Sequence, residues 1–481
     1  TGLSAETTTW TVGQMPATNI QGSTWQPGAR IYETEEVYSA TFYVAPDGDD
    51  DNPGTYEQPW ATWGKAFNST SVQPGDTVYF RGGVYPMTSN NSFYPGGWGY
   101  GYDVTRDGTI TDTIKYWAYP GETPILDCDA VVPSGGYNRA IWANDQNYLH
   151  FKGLTVRNVW QTSSSITVYA WGSQGSNIVI ENCKTYNTGG RAFFATGHNI
   201  RYINCDSWNN TDDKTIDQGP GMDRPGNDGV GFQNVDFVNE DGTIYYKNCR
   251  AWHCGDQGFS AASYGYIEFD GCWSFDNGVD CGEGHGFKMG QVGEDGVTPI
   301  GPLKRRYINN VAAFNRANGF TSKDGGHDAH HMEVYNNIAY KNGLNLPTDA
   351  CYPMQYGFVI YNTNSTDAQE LDRIYRNNIS YGNEDGEVFI GTTGGIGLYT
   401  HSNNSWDSGI IITDADFVLT DTTSITAPRQ SDGSLPNNNC YNYFLKLSSA
   451  SDAIDAGIDV GLPYSGVAPD IGAFEYDAED V

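Results

Sequence analysis

The chain carries 58 acidic against 26 basic side chains over 481 residues, a net charge of −32. Phosphate binding needs a basic surface, so this balance excludes nucleic acid as an expected partner. At 14% aromatic, with 59 glycines, the chain is too apolar for disorder, and no apolar run reaches the roughly 18 residues of a membrane helix. The composition suits short strands joined by many turns, in a soluble, monomeric, secreted protein, extracellular or periplasmic in a bacterium.

Residues 1–40 are polar and aromatic without periodicity and read as an N-terminal arm. Thr41–Gly48 reads as a strand running into a turn. In Gln58–Phe67 the apolar positions recur at helical spacing after Pro59, which predicts a short capping helix with proline in its first turn. Gln73–Tyr85 reads as turn, strand, turn, strand.

A repeat follows. Asn182-Cys183 precedes Tyr186-Asn187, Asn204-Cys205 precedes Trp208-Asn209, and Asn248-Cys249 precedes Trp252-His253. Gly271-Cys272 precedes Phe275, Asn310-Val311 precedes Phe314-Asn315, Asn337-Ile338 precedes Tyr340, and Asn378-Ile379 precedes Tyr381. The gap from Cys205 to Cys249 is twice that from Cys183 to Cys205, which reads as a unit that has lost its Cys. A second ladder places Gly-Phe at 231–232, 258–259, 286–287, 319–320 and 357–358. Repeats of this size made of strands and turns predict an all-β solenoid, a single-stranded parallel β-helix over 41–398, in which like residues stack coil on coil. The nine cysteines then read as buried packing, not as a disulfide framework. From about Tyr399 the ladder fades, and 399–481 reads as a closing segment packed on the solenoid to hide its last strand edges.

If the phenylalanines stack, the residues after them align: Gln233, Ser260, Lys288 and Thr321. Two before them stand Val230, Gln257, His285 and Asn318. Asp228 and Asp256 then lie on the coils below Lys288, so oxygen ligands from two coils adjoin a lysine: a cation site beside a base. That pairing suits β-elimination of a uronic-acid polymer. The proton next to the carboxyl group is weakly acidic, a hard cation such as Ca²⁺ on the carboxylate steadies the enolate-like intermediate, and a lysine must be neutral to remove the proton. Arg305, Arg306 and Arg316 follow the lysine coil, and Arg305 and Arg316 are candidates to grip a uronate, with His285 as a further substrate contact. His327, His330 and His331 cluster without the defined partners of a zinc site. Two other classes fit the residues: a β-helix glycoside hydrolase using Asp228 and Asp256 as paired carboxylates, and a non-catalytic carbohydrate-binding solenoid.

Asn248-Cys249-Arg250-Ala251-Trp252, Asp256-Gln257-Gly258-Phe259, Trp273–Gly278 and Gly284-His285-Gly286-Phe287-Lys288-Met289-Gly290 resemble the family 9 polysaccharide lyases, right-handed parallel β-helix enzymes that include pectate and rhamnogalacturonan lyases. The resemblance is dense over 175–345. It implies an acidic polysaccharide as substrate, Lys288 as the base, and a Ca²⁺ site at Asp228, Asp256, Gln257 and Ser260. Gln257 and Ser260 stand where the family has acidic ligands. Losing two carboxylates weakens Ca²⁺ binding, and Asp223 or Asp276 are the candidates to compensate.

Overall fold

Short parallel strands recur with so constant a register that one coil predicts the next. The computed structural model describes residues 39–88, 99–133, 136–214, 226–236, 241–263, 265–279, 282–291, 303–322, 331–343, 354–362, 372–392, 399–407 and 409–478; the expected arm at 1–40 lies almost wholly outside them. Each complete coil has three faces. In one coil these are Gln257–Ser263, Tyr266–Asp270 and Trp273–Phe275; in the next they are His285–Gln291, Arg305–Ile308 and Val311–Ala313. The first two faces share a 20-stranded sheet and the third forms a 10-stranded one. This is the parallel β-helix expected from the repeat.

The interior is a set of stacked columns. Phe193, Phe232, Phe259, Phe287, Phe320 and Phe358 lie with successive ring centroids 4.8–4.9 Å apart and nearly parallel. Tyr202, Tyr246, Phe269 and Tyr307 form a second stack inside the second face. The strand spacing of about 4.8 Å imposes this distance. The glycine before each of the later phenylalanines is a steric requirement: a Cβ on Gly258 would sit 2.0 Å from Ser274 Oγ.

The corners flanking the third face correct the sequence register. Residues with positive φ recur at Asn182, Asn204, Asn248, Gly271, Asn309, Asn336, Asn377 and Asn403, a left-handed conformation that Asn and Gly tolerate. The inward residue that follows is Cys183, Cys205, Cys249 and Cys272 in the early coils, then Asn310, Asn337, Asn378 and Asn404. Asn310 therefore aligns with Cys272, and not with the turn residue Asn182. Asparagine serves both as the outward turn residue and as the inward ladder residue, so the motif alone is ambiguous by one position. No unit is missing between Cys205 and Cys249 either. Asp206 pairs directly with Arg250, and the extra length lies in the loops of one coil. All seven described cysteines are buried and unbridged.

The helix is Trp63–Asn68, capped by the Thr62 hydroxyl. It begins after the expected Pro59 turn because Trp60 is bridged to Val44 and Asp50 holds the amides of Ala61 and Thr62. The ladder runs past 398: Tyr399–Ser402 pairs with Arg373–Arg376, and Asn404 accepts from Asn378. Residues beyond 409 lie along the third face, where Phe417, Tyr441, Phe444, Leu445 and Ile471 bury Trp273, Tyr340 and Ile379. Asp206 pins this segment, accepting from Arg250 Nε at 2.8 Å and from Arg429 Nε at 2.9 Å.

Candidate active site

Side chains alternate along a strand, so the inward Phe287 turns Lys288 outward on the first face. The register places Lys288 between Ser260 and Thr321, with Gln233 one coil further down. The column inferred from the sequence is present. Gln257 pairs with His285 in the neighbouring column.

The Lys288 ammonium donates to the carboxylate of Glu283, and the two side chains are 13% and 21% exposed. Glu283 is held over Asp256: its amide donates to Asp256 Oδ1 at 3.0 Å, and Gln257 Nε2 donates to Asp256 Oδ1 and to Glu283 Oε2, both at 2.7 Å. His285 Nδ1 accepts from the Asn318 amide at 3.3 Å, which leaves Nε2 facing Glu283 Oε2 at 3.8 Å. The Asp228 amide lies 3.4 Å from Asp256 Oδ2. The Asp228 carboxylate accepts from Arg191 Nη2 at 2.6 Å, and Arg191 Nε donates to Gln233. Lys288, Glu283, Asp256, Gln257, His285, Asp228 and Arg191 thus form one polar cluster along the first face.

The charges in this cluster are unequal. Burial, reinforced by Glu283 and Asp228, pushes the Asp256 carboxyl up to about 8 against the pull of Lys288. Burial also works against ionised Glu283, but Lys288 and His285, with hydrogen bonds from Lys288 and Gln257, outweigh it and hold that carboxyl at about 2. Two adjacent carboxyl groups are driven apart, one toward the neutral acid and one toward the anion. Glu283 carries no ladder position, and its signal in the sequence is only an acid between two glycines just ahead of the lysine. Gly282 brings it in, because a Cβ there would lie 2.1 Å from the Gly255 carbonyl oxygen. Arg191 escaped notice because its coil reads Arg191-Ala192-Phe193, without the glycine that marks the later coils.

Residues 42–355 match the Pel9A-like, right-handed β-helix region, more than half of the chain. The chain belongs to this family. Pectate lyase L of Dickeya dadantii (strain 3937) is 27% identical over 454 residues, 90% of each chain. Pectate lyase PEL9 of Emericella nidulans is 26% identical over 316 residues, 59% of this chain and 70% of that one. Among solved structures, pectate lyase Pel9A has a TM-score of 0.65 at 24% identity, covering 91% of this chain and 97% of its own. A rhamnogalacturonan lyase has the same score and identity, covering 85% and 97%. Both carry the same right-handed β-helix.

The Pel9A-like resemblance implies a calcium site, and the donors here do not fit one. Among the described residues no group of three or more His, Cys, Asp or Glu side chains is placed to hold a metal ion. Asp228 is engaged by a guanidinium, Glu283 by an ammonium, and Asp256 by an amide side chain and a backbone N–H. Gln257 presents its N–H group to the carboxylates, and Ser260 adds only a hydroxyl in the lysine's column. Asp276 does not compensate: it is a turn residue beside the third face whose charged neighbour is His253. Asp223 lies outside the described residues, as do His327 and His330, while His331 opens a strand of the second face.

The two arginines differ. Arg305 is not a substrate contact. It is fully buried in an inward column between Ile267 and Met332, and donates to the carbonyls of Gly265 at 2.7 Å and Ser263 at 2.5 Å; burial lowers its guanidinium to about 10. Arg316 donates to the Gly278 carbonyl at 3.0 Å and packs beside Gly284, at the edge of the loop that carries Glu283.

Proposed function

We propose that this protein is a polysaccharide lyase that cleaves a uronic-acid-containing polymer, of the pectate or rhamnogalacturonan type, by β-elimination. The observation that carries this reading is Lys288 itself: a largely buried amine on the outward column of the first face, inside a cluster of ionisable groups. In the reaction the neutral amine takes the proton from the carbon next to the carboxyl group. The electron pair forms the ring double bond, and the glycosidic oxygen on the next carbon leaves. Catalysis by a positioned base contributes about 10²–10⁴-fold. Glu283 orients the amine, and His285 and Gln257 hold Glu283 in turn. The enzyme acts outside the cell, where such polymers occur.

The paired-carboxylate alternative is disfavoured because Asp228 is tied to Arg191 and hydrogen-bonded through its amide to Asp256, not set across a gap from it. Product chemistry separates the readings. Purified protein offered homogalacturonan, rhamnogalacturonan and other acidic polysaccharides is expected to release an unsaturated product that absorbs in the ultraviolet. New reducing ends without absorbance would replace the lyase by a hydrolase, and neither signal would leave a binding solenoid.

A further inference from the structure

Arg191 lies on the same face as Lys288, in the column that continues through Val230 and Gln257 to His285. Its guanidinium is fixed on three sides. Nη2 donates to Asp228 Oδ1 at 2.6 Å, Nε donates to the Gln233 side chain, and the guanidinium carbon lies 5.1 Å from the Tyr169 ring centroid. The side chain is 16% exposed, and Nη1 has no hydrogen-bond partner among the described residues. A planar fork clamped on one edge and open on the other is suited to receive a carboxylate. Asp228, which it occupies, is the residue the family resemblance assigns to calcium, and the other assigned positions offer a neutral amide, a hydroxyl and a carboxyl group already hydrogen-bonded.

Resting on the elimination chemistry proposed above, we infer that Arg191 takes the place of a resident divalent cation on this face, and that its open edge receives a carboxylate of the uronic-acid chain. A fixed guanidinium then supplies the positive charge near the substrate carboxylates that a metal ion supplies elsewhere, and the enzyme works without calcium. Gln233 and Tyr169 serve as positioning residues that hold the fork in place, since both touch Arg191 and neither carries charge. The ion pair with Asp228 keeps the fork in place before substrate arrives, which lowers the ordering cost of binding.

Three measurements on the full chain test this. First, protein stripped with EDTA is titrated with Ca²⁺ by calorimetry and followed by thermal melting. No saturable heat and no rise in Tm at millimolar Ca²⁺ are expected; saturable binding would overturn the inference whatever the activity. Second, binding of an oligogalacturonide to the inactive Lys288→Ala protein is compared with binding to Lys288→Ala/Arg191→Gln. At least a tenfold loss of affinity is expected, partly restored by Arg191→Lys; equal affinities would overturn the carboxylate role. Third, elimination by stripped wild-type protein is expected to stay within twofold of the rate with added Ca²⁺, and dependence on Ca²⁺ would overturn the inference while leaving the lyase reading intact. If no polymer yields an unsaturated product, the lyase reading fails, and the first two measurements still decide the roles of calcium and Arg191.

Discussion

Two regions of this β-helix bury polar side chains, and they do so in opposite ways. At the corner beside the third face, Asn310, Asn337, Asn378 and Asn404 repeat one arrangement: each Oδ1 accepts the amide of the ladder residue one coil earlier, at 2.8–3.0 Å. Asn337 Nδ2 also donates to the Tyr307 and Tyr335 carbonyls. Every member is neutral and each coil satisfies the next. In the outward Lys288 column of the first face no residue type repeats. Gln233, Ser260, Lys288 and Thr321 succeed one another in one column, beside three carboxyl groups, of which Asp228 meets Arg191, Glu283 meets Lys288 and Asp256 is pushed toward the neutral acid. A buried polar network rigidifies when fully satisfied and uniform; where unlike ionisable groups crowd together, it holds protons and charges at unusual values. The uniform region specifies the coil, and the irregular one holds chemistry.

Breaking each region alone sharpens the contrast. Lys288→Ala is expected to lower the elimination rate by about 10³-fold, since a general base is lost, while the circular dichroism spectrum stays that of the wild-type fold and the melting temperature falls, because Glu283 loses the ammonium that holds its charge. Residual activity within tenfold of wild type would remove Lys288 as the base. The converse comes from Asn337→Ala. It strips the acceptor from the Asn310 amide and side chain and the donor from Asn378 Oδ1, in a corner where Asn337 is fully buried. Unsatisfied buried groups cost about 1–3 kcal/mol each, so a loss of about 3 kcal/mol in urea unfolding is expected, with kcat/KM of the folded fraction unchanged. A stable Asn337→Ala protein with poor activity would show that the corner and the Lys288 cluster are coupled.

The sequence was informative where side chains repeat and poor where they do not. The Gly-Phe ladder was legible because a tight corner admits only glycine and an interior column only a large ring, and it placed Lys288 above Ser260 in the correct register. The Asn motif misled by one residue because asparagine fits both the left-handed turn and the inward ladder. Arg305 read as a surface cation although it sits in an inward column, where its fork meets the carbonyls of Ser263 and Gly265; strand parity from Tyr307, which faces the same way, carries that information. Glu283 and Arg191 were invisible to a column argument, because one rides on a loop and the other precedes the glycine-marked coils. Each is defined by the charge it meets across coils, which only the folded chain displays.

The smallest expected effect lies inside the Lys288 cluster and tests whether its irregularity tunes Lys288 or merely tolerates it. Glu283→Gln keeps the shape and the contact with Gln257 but removes the charge beside the amine. A carboxylate in contact with an amine favours the protonated amine, and in the proposed reaction the neutral amine is the active form. The variant's rate should therefore rise toward its alkaline plateau at a lower pH than wild type, read as kcat/KM between pH 6 and 11. The acid side gives an independent sign. Wild-type Glu283 is held at about 2 against an ordinary 4.5, chiefly by Lys288 and His285 against burial. Its contribution to stability is present above 4.5 and fades as pH falls toward 2, so wild-type thermal melts should show an acid loss over that window that Glu283→Gln lacks. An unchanged rate profile together with a changed acid profile would make Glu283 a structural partner of the loop and leave the tuning of Lys288 to the rest of the cluster.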